Sequence, residues 1–309
     1  MDKKYKLTEE TINVNGITLY RIEALRDFGN VQKEDKGGFV EKESNLSQNG
    51  DCWVYDNAKV YDDAIVLNDA SICDNAEVCG EAMVCNSAKV CTNAIVNDIA
   101  VVYGNAEVND YAMVYGNAKV FGNAVVYGRA KVCENAKVRN EAKVHDDAVV
   151  CGHAKVCDNA QVFGNAKVSG NAVVFDSAVV CGDAEVFDSA AIYDNAIIYG
   201  YAEVGSNARI YGNAFVYENA EVCGNAKVHD DARVYGNAVV FDNAEVYGNA
   251  QVYNKAEVCD NAEIYGNAEI YGNARVYCNT VVCDNAEVCG YSKLFGNAVI
   301  RDNTKVCED

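Results

Sequence analysis

Proline is absent from all 309 residues. Proline has no backbone N–H and its ring holds φ at about −65°, so it cannot serve a hydrogen-bond ladder. A long chain that never uses it is one in which nearly every N–H is needed for such a ladder. Long apolar runs are missing too: no stretch of about 20 apolar residues exists, so no membrane-spanning helix is expected. Basic residues are scarce, with 26 Lys and Arg against 46 Asp and Glu and a net charge of −20. That balance disfavours direct binding to nucleic-acid phosphates or anionic membranes, and favours solubility or a basic partner. The opening "MDKKYKLTEE" is polar with no apolar run behind it, so no secretory signal is expected and a cytoplasmic location follows.

Cysteine is present in excess. Fifteen cysteines would suggest a disulfide framework in a small secreted chain, but nothing here is small or secreted. They form no C-x-x-C pairs and are accompanied by only three histidines, so zinc-ligand spacing is missing and no metal is expected. The expected state is reduced, with the thiols serving as small semi-apolar side chains. Half of the residues are apolar, enough to bury a core.

From Val54 to Val306 an aliphatic residue falls on every sixth position without insertion or deletion: 35 Val, 7 Ile and Leu294, 43 positions in all. From Val60 on, Ala stands two residues before each in 39 of 42 cases, the exceptions being Thr280, Ser292 and Thr304. After the aliphatic come an outward residue and then a pair that is usually Gly or Asp followed by Asn. In A-x-V-x, Ala and Val share one face of a short strand and the x positions the other. The following pair turns the chain, because Gly and Asn enter the left-handed region cheaply. A four-residue strand and a two-residue corner, three times over, close an 18-residue triangle. This predicts an all-β fold, a left-handed parallel β-helix of hexapeptides with roughly 14 coils, each rising about 4.8 Å, and a length of about 65–70 Å. Residues 52–309 form that uninterrupted solenoid.

Residues 1–51 break the pattern and are read as a cap and a first irregular coil that cover an exposed strand edge. Val40 and Leu46 are six apart, but Leu46 and Val54 are eight apart. The segments "KYKLTEET", "RIEALRDFGNV" and "GGFVEKESNLSQNGDCWVYDNA" resemble the bacterial YdcK-like proteins, a hexapeptide-repeat family labelled as acetyltransferases. The resemblance implies a left-handed β-helix and an acetyl-CoA-dependent activity. It carries over no catalytic residue and no cofactor site.

The residues themselves point away from catalysis. Hexapeptide acyltransferases use a loop that leaves the coil, a histidine base and a tail segment. No insertion interrupts residues 54–309. His145 and His229 occupy outward positions in "KVHDDA", and His153 a corner. All three read as substitutions in a drifting repeat, so no catalytic residue is assigned. The outward positions are the informative ones. Residues 18 apart stack, so Tyr199, Tyr217, Tyr235, Tyr253 and Tyr271 form one column, flanked by Ile197 and Phe215. Stacked aromatics stabilise neighbouring coils, and they also make a docking strip for a protein or a second copy. Lys119, Lys137 and Lys155 are spaced as a like-charged column, which repels itself and suits an oppositely charged partner. The expected function is a non-catalytic scaffold that binds a protein or itself, needs no cofactor, and touches neither nucleic acid nor membrane. The alternatives are a hexapeptide acyltransferase and an acidic mimic of duplex DNA.

Overall fold

Ala58–Tyr61 shows what one hexad does. Ala58 and Val60 point inward and are fully buried, and Lys59 between them faces out. The Lys59 N–H donates to Ala76 O at 2.9 Å and the Tyr61 N–H to Val78 O at 3.1 Å, both in the next coil. The Ala64 N–H turns back onto Tyr61 O at 3.3 Å and closes the corner. Strand pairing proper covers only Lys59–Val60 against Glu77–Val78, so most strands are two residues long rather than the four read from the pattern. The flanking residues bond to the next coil while already bending into the corner.

The corner chemistry also differs from the expectation. Only its first residue takes positive φ, as in Asp62 at 57°, Gly80 at 67° and Asp98 at 57°, and this holds at every such position from Asp56 to Asp302. The Asn that usually follows stays out of the left-handed region. The N–H of that first residue is left over by the coil-to-coil ladder, and Asp is favoured there because its carboxylate supplies an acceptor. Asp62 Oδ2 accepts from Gly80 N (3.1 Å), Asp74 from Thr92 N (2.9 Å), and Asp98 from Gly116 N (2.9 Å). Asp thus offsets its left-handed cost by bonding one coil onward. The same geometry completes the case against proline: of the two N–H groups that the coil-to-coil ladder does not use, one closes the corner, as Ala64 N does, and the other sits at a φ proline cannot adopt.

The computed structural model describes residues 3–309, in two units that divide between His153 and Ala154. The first begins with a hairpin, β1 (Tyr5–Val14) and β2 (Ile17–Ala24), paired antiparallel. β3 (Lys36–Val40) is antiparallel to β2 on one side and parallel to Lys59–Val60 on the other, so it converts hairpin pairing into solenoid pairing. Val40 lies over Val60 and Leu46 over Val66, a longer step along the chain than the regular one that sets Val54 over Ile72. The surplus therefore falls between Leu46 and Val54. Here the core is aromatic: Trp53, 1% exposed, meets Tyr5 and Phe28 edge-on at 6.1 and 5.3 Å. Lys4 is fully buried, its Nζ donating to Cys52 O at 2.9 Å and Gly50 O at 3.3 Å, and burial lowers its pKa. Beyond the cap, three parallel ladders stack on Ala with Val or Ile.

The second unit repeats the three-ladder solenoid from Ala154 onward. Its interior is again Ala with Val or Ile, and the buried polar exceptions satisfy themselves. Thr280 Oγ1 donates to Tyr277 O at 2.8 Å, and Ser292 Oγ donates to Val306 O at 3.2 Å while accepting from Glu308 N at 3.0 Å. Two cysteine pairs depart from the reduced state expected of them. Cys73–Cys91 in the first unit and Cys289–Cys307 in the second are disulfide-bonded, each pair with Cα atoms 4.6 Å apart. Outward residues one coil apart are directly opposed, which brings the thiols into bonding reach. Cys133 and Cys151, at the same spacing, carry no such bond. Among the described residues, no helix is long and apolar enough to cross a membrane.

Candidate interaction face

One face of the second unit carries the tyrosine column. Its strands include Ile197–Ile198, Phe215–Val216, Arg233–Val234, Gln251–Val252 and Glu269–Ile270, paired parallel in register. Each strand is followed by a tyrosine whose N–H bonds to the next coil, as Tyr217 N does to Val234 O at 3.0 Å. The coil period therefore places Tyr199, Tyr217, Tyr235, Tyr253 and Tyr271 one above another. Ring centroids are 4.8, 4.8, 4.9 and 5.1 Å apart, with planes within 9° of parallel. Ile197 and Phe215 are strand partners on the same face, as the spacing predicts.

The hydroxyls reach sideways to an outward residue of the next coil. Tyr235 Oη donates to Gln251 Oε1 at 3.2 Å, Tyr253 to Glu269 Oε2 at 2.9 Å, and Tyr271 to Glu287 Oε2 at 2.9 Å. Lys305 Nζ bonds both Tyr271 Oη and Glu287 Oε2, and this holds the Glu287 carboxyl below its usual range. Burial between stacked rings pushes the Tyr217 hydroxyl up to about 12, with help from the neighbouring tyrosines and against the opposing charge of Arg233. All five rings are half-buried.

A second aromatic column was not singled out in the sequence, although the same count of one coil finds it. On another face Phe175, Tyr193, Tyr211, His229, Tyr247 and Tyr265 stack with centroids 4.5–5.1 Å apart. His229 is a member of this stack and both its nitrogens are engaged: Nδ1 lies 3.3 Å from Asp230 Oδ1, and Nε2 2.9 Å from Glu245 Oε1. A carboxylate pair can orient an imidazole base, but here each nitrogen already faces an acid and each ring face a tyrosine. In the first unit His145 stacks on Tyr127 at 4.6 Å, with its Nδ1 3.3 Å from Asp146 Oδ1.

Like charges do oppose each other. Lys119 and Lys137 are strand partners in the first unit, as are Glu185, Glu203 and Glu221 in the second. Lys155 begins a ladder of the second unit beside Val173. Among the described residues, metal-ligating groups converge at two places: Cys73, Asp74 and Cys91, and Asp242, Cys259 and Asp260, each set with its ligand atoms within 4.8 Å of one another. In the first set the thiols are tied to each other. In the second, Asp260 Oδ2 already accepts from Cys278 N at 2.8 Å.

Comparison with known families returns a match to the YdcK beta solenoid repeat at residues 166–182, 208–224 and 268–284. All three stretches lie in the second unit, and the latter two include rungs of the tyrosine column. No curated protein matches the chain.

Proposed function

We propose that this chain is a non-catalytic β-solenoid scaffold whose tyrosine face docks a protein, with a second copy of the chain as the first candidate. The observation that carries this reading is the five-ring stack itself. Its tyrosines are held on a backbone ladder, and three hydroxyls are fixed by neighbours in the next coil. Side chains already held this way cost less to order on binding, which is what an efficient contact surface requires. Tyrosine also offers an apolar body with a polar edge, the combination enriched at the centres of interfaces. Sedimentation of the wild type against Tyr217→Ser/Tyr235→Ser/Tyr253→Ser tests the role. Loss of an assembled species is the expected result, and unchanged mass and shape reject self-association.

A hexapeptide acyltransferase is the second reading, favoured by the coil geometry that such enzymes share. Fold alone is a weak warrant for activity. Calorimetry with acetyl-CoA separates the two: heat of binding supports the enzyme, and none at high protein concentration removes it.

A further inference from the structure

The hydroxyl pattern of the tyrosine face breaks at two rungs. Sixteen positions after Tyr235, Tyr253 and Tyr271 stand Gln251, Glu269 and Glu287, each an acceptor. At the same offset Tyr199 meets Phe215 and Tyr217 meets Arg233, and neither side chain can accept a hydrogen bond. Arg233 has Phe215 and Gln251 as strand partners, so no carboxylate stands opposite it. Its guanidinium lies 5.8 Å from the centre of the Phe215 ring. Lys227 and Arg275 of this unit do face acids, Glu245 at 3.4 Å and Glu257 at 3.0 Å. Tyr199, Phe215, Tyr217 and Arg233 together line a hollow of about 230 Å³.

We propose that this hollow binds an oxyanion carried on an aromatic body. The guanidinium fork of Arg233 takes two oxygens side by side, the hydroxyls of Tyr199 and Tyr217 donate to the anion, and the Phe215 ring packs the attached apolar group. Glu218, the corner residue after Tyr217, is the acid whose charge these rings feel, and the chain as a whole carries −20. Long-range attraction therefore does not hold the ligand, and bidentate contact must. A small aryl phosphate and a phosphotyrosine displayed by a docking protein share this chemistry. The inference rests on the reading of the face as a contact surface only in the second of these cases.

Titration of the full-length chain, followed by calorimetry, with phenylphosphate and with a short peptide bearing one phosphotyrosine tests the site, with phenol as the neutral control. Saturable binding of either phosphate, at least about tenfold tighter than phenol, is expected. The tighter of the two names the source. Arg233→Gln should weaken binding about tenfold or more, and Tyr217→Phe about threefold, with Arg233→Lys recovering part of the loss. Arg233 is exposed, so Arg233→Gln should keep the wild-type circular dichroism. Absence of binding by both phosphates, or equal binding by wild type and both the Arg233→Gln and Tyr217→Phe variants, overturns the site. Neither outcome alters the sedimentation of the tyrosine triple variant, so the two readings fail separately.

Discussion

The two ends of one tyrosine column behave differently. Tyr235, Tyr253 and Tyr271 are closed on themselves, each hydroxyl bonded to an acceptor in the next coil. Tyr199 and Tyr217 have the same backbone, the same ring spacing and the same period, yet face Phe215 and Arg233. The stack comes from the residue after each aliphatic, and the fate of the hydroxyl comes from a different residue in the coil that follows. A repeat can therefore hold its architecture constant while opening or closing polar groups rung by rung.

Arg233→Glu should break the difference most completely. It gives Tyr217 the kind of acceptor that Tyr253 has in Glu269 and removes the cation, so phenylphosphate binding should fall below detection by calorimetry, about a hundredfold or more. Retained binding would show that the closed and open rungs are equivalent. Next in size is a pair of hydroxyl deletions. Tyr253→Phe loses a hydrogen bond to a carboxylate and leaves Glu269 without it, and should cost about 1 kcal/mol in urea unfolding, whereas Tyr199→Phe should cost close to nothing. Equal costs would mean that the hydroxyl contacts add no stability in either stretch.

Alkaline titration sharpens the comparison further. The Tyr217 hydroxyl is raised from 10.0 to about 12, so its neutral form is the one the fold favours. That contribution is fully present below the ordinary value of 10.0 and is lost as pH rises through about 12. Stability should thus hold to about pH 10 and decline above it, followed by phenolate absorbance and circular dichroism together. Because Arg233 favours the Tyr217 phenolate, Arg233→Gln should move that titration higher still. The smallest effect belongs to the far end. Lys305 and Tyr271 hold the Glu287 carboxyl low, so its contribution is present above the ordinary carboxylate pKa and fades as acid carries the pH down through the folded value. Glu287→Gln should flatten that slight acid dependence, and a wild-type profile in the variant would dismiss the contact.

Much of the solenoid was legible because one constraint repeats. A sixfold return of Val with Ala two before it closes simply in one way, and register follows once three such returns complete a coil. That is why Tyr199 to Tyr271 and Ile197 with Phe215 could be placed on one face in advance. The corner was half legible. Gly and Asp were visible there, but the left-handed residue is the first alone, and Asp is suited to it by a bond to Gly80, Thr92 or Gly116 one coil away. The cap was least legible: Lys4, Trp53, Tyr5 and Phe28 meet through contacts between residues far apart in the chain, with no period to announce them.

Sequence alone determined the all-β coil, its period, its Ala and Val interior and the exclusion of proline, because each depends on a local pattern repeated without error. Tertiary structure decided which hydroxyls are satisfied, which thiols are joined and where Arg233 lies among aromatic rings. Those outcomes depend on side chains that belong to successive coils, and only stacking brings them within hydrogen-bonding or covalent reach.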